Sequence, residues 1–179
     1  MKPQSSAKGD KVSAVIRQYK SEDFQACRAL WAELTEWHRH IYDDSTIGGS
    51  DPGSQFDVHL KEHGPEQIWV AEVDGRVIGM AGLIHRRNEA ELEPLIVSEE
   101  YRHSGIGRQL VETVTRAARK EGANMLSVEP VARNDLAIRF FHDLGFDTLG
   151  HMEMFIDFSP PERQKWKGTK RIADKDFRY

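Results

Sequence analysis

The residues best able to do chemistry fall between Glu91 and Asn134. Glu91 and Glu93 are spaced by two and share a strand face with Leu95 and Val97, in an apolar run that Pro94 interrupts. Carboxylates so placed can take a proton from an incoming nucleophile, pair with a cation, or stay hydrated. The turn Arg102-His103-Ser104-Gly105-Ile106-Gly107-Arg108 follows. Its two glycines let the backbone approach a ligand and clear side chains from its path. Several N–H groups would then converge at the positive end of a helix dipole, an arrangement that binds phosphate. A plain strand-to-helix turn uses glycines in the same way. Glu129 closes a later apolar run, just before Pro130, and Asn134 or Asp135 caps the helix that begins there.

Other readings of these residues are weaker. A dinucleotide fingerprint would want a third glycine where Leu110 stands, and seven residues separate Val97 from Gly105. A P-loop would need Gly-Lys-Ser/Thr, whereas Gly107 is followed by Arg108-Gln109. His38 and His40 would point about 200° apart on a helix and could not share a metal, so no metal is assigned. Cys27, the single cysteine, excludes an internal disulfide and lies on an apolar stripe, as a packed thiol does.

The elements that must position these groups follow from periodicity. Residues 12–19 read as a strand. Ser21-Glu22-Asp23 opens a helix whose buried face is Phe24, Cys27, Leu30, Trp31 and Leu34. Residues 36–64 are the least regular, with a glycine-rich loop and a short helix over 56–63. Residues 67–73 and 76–84 form strands joined by Asp74-Gly75, a two-residue hairpin signal. After a turn at residues 87–89 comes the strand of the two glutamates, which Pro94 should make bulge or part from a neighbour. Leu110, Val111, Val114, Ala117 and Ala118 recur at helical spacing, and Gly122 marks the stop. Residues 125–129 form a strand, and Leu136, Phe140 and Leu144 line a helix that Gly145 ends. Met152, Met154, Ile156 and Phe158 alternate as a last strand. The fold class is α/β (α+β): a mixed, largely antiparallel central sheet with helices on both faces.

Leu95-x-Val97 followed by Glu100-x-Arg102-x-x-Gly105-x-Gly107 resembles the acetyl-CoA motif of the GNAT superfamily of N-acetyltransferases, whose form is Arg/Gln-x-x-Gly-x-Gly/Ala. The order of elements over residues 12–158 is also that of the GNAT fold. The resemblance implies transfer of the acetyl group of acetyl-CoA directly to an amine, with neither metal nor covalent intermediate. It implies that Leu95, Ile96 and Val97 line the pantetheine arm, with an N–H near Val97 as oxyanion donor. Arg102, His103, Ser104, Gly105, Ile106, Gly107 and Arg108 would hold the pyrophosphate.

Glu129-x-x-x-x-Asn134-x-x-Ala137, then Leu144-Gly145-Phe146, is similar to the branch that includes the ribosomal-protein alanine N-acetyltransferases. By that resemblance Asn134 contacts the cofactor arm and Glu129 deprotonates the amine, ahead of Glu93 and Glu91; a solvated strand-end acid is the bland reading of Glu129. One departure stands out. A tyrosine that can protonate the leaving thiolate is replaced by Phe141, which would pack beside the thioester without giving a proton. Coenzyme A thiolate, with a thiol pKa of about 8 to 9, can leave without a dedicated acid. The missing tyrosine also motivates the alternative of a non-catalytic coenzyme A-binding sensor or interaction module. The acceptor, a protein N-terminus, a lysine or a small amine, should meet residues 36–64, where Trp37 to Asp44 are rich in aromatic and acidic groups.

The 179 residues suit one domain, residues 12–158, with an N-terminal extension over 1–11 and a basic tail over 159–179. From Ser159 onward seven Lys/Arg stand against three Asp/Glu, and the preceding body carries eight excess negative charges. An acidic body argues against a nucleic-acid surface and favours cationic acceptors. The absence of a signal-like run and of a membrane-length apolar segment implies a cytoplasmic protein without a membrane partner. The tail either hangs free or packs through Trp166, Phe177 and Tyr179 on its own or a partner subunit, the latter as a homodimer.

Overall fold

The computed structural model describes residues 13–166 and 168–179; the extension over 1–11 and the start of the first expected strand lie outside them. The sheet runs β1 (Val15–Gln18), β2 (Ile68–Val73), β3 (Arg76–Arg86), β4 (Glu89–Val97) and β5 (Met125–Ser127), in that spatial order. All pairs are antiparallel except β4–β5, which is parallel. Between β1 and β2 lie α1 (Phe24–Tyr42) and α2 (Gln55–His63). The helix α3 (Ile106–Lys120) connects β4 to β5, and α4 (Asp135–His142) follows β5. This is the mixed, mostly antiparallel architecture that the sequence predicts.

Two apolar layers hold the helices on opposite faces. Ile106, Leu110, Val111, Val114 and Ala118 of α3 pack with Ala71, Val73, Leu83 and Leu92 of the sheet. On the other face, Cys27 and Leu30 of α1 and Phe56 of α2 meet Ile68, Val70, Met80 and Ile96. Side chains that alternate along a strand can supply both layers, and burying one such residue is worth about 1.5–3 kcal/mol. Burial pushes the Cys27 thiol up to about 12, which keeps it protonated and inert.

The expected hairpin closes at Asp74 and Gly75, both at positive φ (49° and 74°), as a tight turn between twisted strands requires. The opening of α1 differs from expectation. Ser21–Asp23 is a 3₁₀ turn, and the Asp23 carboxylate accepts the Lys20 N–H instead of Ser21 capping the helix. The helix also runs on to Tyr42, through residues read as irregular.

The last expected strand is a correction. Residues 152–158 form no strand; alternation is present, but they pair with none of the strands described. Beyond them β6 (Thr169–Ile172) and β7 (Lys175–Arg178) make a separate hairpin. The tail is docked by Arg133, which stacks 4.7 Å from the Tyr42 ring and donates to the Lys165 carbonyl at 2.9 Å. Lys170 bonds Asp135 at 3.1 Å and Lys165 pairs with Asp44 at 2.7 Å. Its basic residues thus meet acids of the body.

Candidate active site

The site is organised by the outer edge of β4. Between Ala81 and Leu83 the β3–β4 register slips, so that Glu93 and Pro94 together oppose Gly82. A Cβ on Gly82 would lie 2.3 Å from the Glu93 carbonyl oxygen, so only glycine permits this bulge. On the other side, β5 pairs with β4 only from Glu89 to Glu91. Beyond Glu91 the two strands part, and the edge from Leu92 to Val97 is left open. The Ser98 N–H donates to the Ile78 carbonyl at 2.9 Å. By antiparallel alternation, Val97 and Gly79 are then a non-hydrogen-bonded pair, which turns the Val97 N–H and C=O toward the open edge. Arg102 Nε accepts that geometry by donating to the Val97 carbonyl at 3.2 Å.

At one end of this edge stands the glycine turn. His103 (φ 63°) and Gly105 (φ 87°) adopt left-handed backbone, and α3 starts at Ile106. The first helical N–H groups have no partner within the helix by construction, and Gln109 is the first seen to bond back, to the Gly105 carbonyl. Nothing lies within 4 Å of a Cβ placed on Gly105, so the turn is open on that side. Ser104 is half-buried, its hydroxyl donating to the Tyr101 carbonyl; Arg108 is exposed, and Ile106 is wholly buried in the core. The backbone of this turn suits a diphosphate, with Arg102 and Arg108 as the cations nearby. Ile106 offers its N–H alone.

Phe140, Phe141 and Phe146 form an edge-to-face series, with centroids 5.3 and 5.6 Å apart. Phe141 is half-buried against the α3 layer. Asn134 caps α4, its Oδ1 accepting the Ala137 N–H at 3.1 Å, which leaves its amide NH₂ as the group able to reach a ligand. Leu95 and Val97 are half-buried, whereas Ile96 is buried on the α1–α2 face, away from that layer.

At the other end of the edge the three candidate acids converge. Glu91 is buried and its Oε2 takes both Arg86 Nε, at 2.7 Å, and a second guanidinium nitrogen, at 2.6 Å. Glu93 is open to solvent on one side. The protein packed around its carboxyl, then the like charges of Glu91 and Glu129, push its pKa above the ordinary value, while His63 and Arg86 oppose the rise. Glu129 is exposed and lies just past the end of β5. Arg86 and His63 are the members that sequence reasoning missed. Arg86 stands opposite Glu89 and reaches diagonally across the hairpin to Glu91, a contact legible only once the register is known. His63 ends α2 beside buried His59, whose pKa burial and His63 lower to about 4 and whose Nε2 has no hydrogen-bond partner.

Trp37 and His38 lie on α1, with the Arg102 guanidinium 5.5 Å above the Trp37 ring. Burial lowers the His38 pKa. Among the described residues no group of three or more His, Cys, Asp or Glu is placed to hold a metal ion, and no helix is long and apolar enough to cross a membrane.

Residues 23–146 match the acetyltransferase (GNAT) family. The chain is 33% identical over 98 residues to probable N-acetyltransferase family 8 member 5 of Mus musculus, covering 51% of this chain and 42% of that protein. It is 30% identical over 126 residues to N-acetyltransferase 8 of Rattus norvegicus, covering 67% of this chain and 50% of that one. The chain thus spans half or less of the length of these curated relatives. Among solved structures it is similar to the paia N-acetyltransferase of Thermoplasma acidophilum in complex with coenzyme A, with a TM-score of 0.60 and 23% identity over 74% of this chain and 89% of that chain. It is likewise similar to the ribosomal-protein-alanine N-acetyltransferase of Brucella melitensis, with a TM-score of 0.59 and 23% identity over 73% of this chain and 83% of that chain. These two likenesses bear on the fold. The family match covers more than half of the chain and takes in every element from α1 to α4, and on that ground the chain belongs to the acetyltransferase (GNAT) family.

Proposed function

We propose that the chain is an acetyl-CoA-dependent N-acetyltransferase that moves the acetyl group in one step to a primary or secondary amine. The observation that carries this reading is the open edge of β4, with the glycine turn and the start of α3 at its far end and carboxylates at the near end. Val97 to Glu93 spans about 13 Å at 3.3 Å per residue, room for an extended pantetheine arm between a diphosphate at residues 102–108 and an acetyl group near Glu93. The acceptor nitrogen attacks the thioester carbon, the C–N bond forms and the C–S bond breaks. The outward N–H of Leu95, the nearer of the two to Glu93, stabilises the charge that builds on the carbonyl oxygen, and that of Val97 is left to the pantetheine arm. Glu93 takes the proton from nitrogen, and the thiolate leaves and is protonated by water. Phe141, locked between two rings, supplies shape.

Glu93 is the preferred base over Glu129, the residue favoured by spacing alone. Its raised pKa suits proton transfer better, and Glu91 is engaged by Arg86. Glu129 remains close enough to bias Glu93 and to attract a cationic amine. The test is thiol release from acetyl-CoA with a panel of protein N-termini, lysine peptides and small amines. Release that depends on an amine is expected. Tight coenzyme A binding with no release for any amine would overturn catalysis in favour of a non-catalytic binding module.

A further inference from the structure

We propose that the tail, through Lys165, Trp166, Lys170 and Tyr179, is a clasp that holds the loop from Glu129 to Asn134 in the shape the cofactor site requires. The inference rests on the reading that Asn134 meets the arm of coenzyme A. The loop has little beside it to fix it. β5 before it is three residues long, and among the described residues α4 after it supplies none that is fully buried. A segment with so few buried apolar neighbours opens locally at low cost. Its internal support is short-range: the Asn134 N–H donates to the Val131 carbonyl at 2.9 Å, and the Asn134 side chain caps α4.

The tail grips this loop at two points. At the first, the Arg133 guanidinium lies 4.7 Å from the Tyr42 ring and 5.9 Å from the rings of Trp166 and Tyr179. Its two terminal nitrogens donate to the carbonyls of Ile41, at 3.3 Å, and Lys165, at 2.9 Å. A planar cation bonded at both ends and flanked by rings is fixed in orientation as well as place. At the second, Lys170 Nζ donates to the Ala132 carbonyl at 3.0 Å and to Asp135 Oδ1 at 3.1 Å, either side of Arg133 and Asn134. Tyr179 joins the two points, since its ring also lies 5.4 Å from Lys170 Nζ. That ring rests on Gly168, where a Cβ would come within 2.8 Å of Tyr179 Cζ. Arg171 is the contrast. Its partners are Asp176 and the Asp174 carbonyl, both within the tail hairpin. Because Glu129 and Asn134 stand at the two ends of the gripped loop, a turn of the loop displaces both. A misplacement of about 1 Å can cost on the order of 10²-fold in rate.

Calorimetry of coenzyme A binding to the full chain tests this. Arg133→Met keeps the bulk and removes the charge and donors, and should raise Kd by about tenfold. Tyr179→Ala should do the same, whereas Tyr179→Phe keeps the ring and should bind as wild type does. Asn134→Ser keeps a capping oxygen but loses the amide, so it too should weaken binding. Combined with Arg133→Met it should cost less than the sum of the two, because the clasp acts through Asn134. Amide exchange at Asn134 and Ala137 should quicken in Arg133→Met while β2 and β3 stay protected. Arg171→Met should change neither reading. A Kd unmoved by Arg133→Met would overturn the proposal, as would additive losses in the double variant. So would an equal loss from Arg171→Met, because the tail would then act on the phosphates by its charge alone. Wild-type protein that binds no coenzyme A would overturn the cofactor reading itself, and the clasp with it.

Discussion

A Cβ on Gly107 would lie 3.2 Å from Phe140 Cζ, so the first turn of α3 and the ring of α4 touch more closely than a larger residue would allow without a shift of the ring. Gly105, two residues earlier, has the opposite character: clear space ahead and a left-handed φ of 87°. The two glycines of the turn therefore serve different purposes. One admits the neighbouring helix and the other shapes the backbone.

Gly107→Ala should make Phe140 shift by a few tenths of an ångström, an overpacking cost of about 1–3 kcal/mol that about 1 kcal/mol of helix propensity offsets, for a net loss of up to about 2 kcal/mol. That corresponds to a fall in Tm of several degrees for a chain of this size. Gly105→Asp should act mainly on binding. It costs about 1–2 kcal/mol of backbone strain and adds a negative charge where the diphosphate is proposed to bind. Calorimetry of coenzyme A binding and thermal melts separate the two. Equal effects of both substitutions on binding and melting would refute the division of roles.

Arg17 and Asp23 supply a second test, of stability. Asp23 is 4% exposed, and Arg17 forks onto both its oxygens at 2.7 and 2.9 Å. The Arg17 hydrogen bond, followed by the Lys20 N–H, holds the Asp23 carboxyl below the usual carboxylate range, against the opposing effect of burial. Arg17→Met strands a buried charge and should cost about 3–5 kcal/mol. Adding Asp23→Asn should return a large part of the loss. Because the folded pKa is depressed, the stabilisation is present above the unfolded value near 3.9 and is lost as pH falls through the folded one. Urea melts from pH 7 to pH 3 should show wild type losing stability with acid while the double variant changes less.

How far the sequence foretells the structure depends on whether a signal is local. The Asp74-Gly75 hairpin, the α3 stripe and the Asn134 cap are written within a few residues, and the structure has them. Pro94 announces the disruption in β4, yet Gly82, which makes room for it, is recognisable only across the strand pair. The alternation over residues 152–158 is real, but a strand needs a neighbour and alternation does not say which. The β6–β7 turn uses Ala173 and Asp174 at φ 48° and 60°, where glycine or asparagine would have been the cue. At the site, the spacing of Glu91, Glu93 and Glu129 identifies the acids, whereas the Arg86 pair that separates their roles depends on register.

The last prediction concerns the proton. A carboxylate base works when ionised, so turnover should rise with pH through the Glu93 pKa and level off above it. Arg86 lowers that pKa and Glu91 raises it. Arg86→Gln removes a nearby positive charge and leaves the Glu91 carboxylate unneutralised, so both changes push Glu93 upward. The acid limb of kcat should then move to higher pH, with turnover at pH 8 close to wild type. Glu91→Gln should move the limb the other way. Glu93→Gln should remove the limb and lower kcat by about 10²–10⁴, with coenzyme A affinity nearly unchanged. Glu129→Gln should raise the KM for a cationic amine, because it subtracts a negative charge beside the acceptor, and should move the limb to lower pH without removing it, because Glu129 helps to raise the Glu93 pKa. A purely structural role for Glu93 would lower activity equally at all pH values and leave the limb in place. If Glu129→Gln abolishes the limb and Glu93→Gln preserves it, the base is Glu129. The raised pKa of Glu93 would then be a by-product of three acids gathered to hold an ammonium.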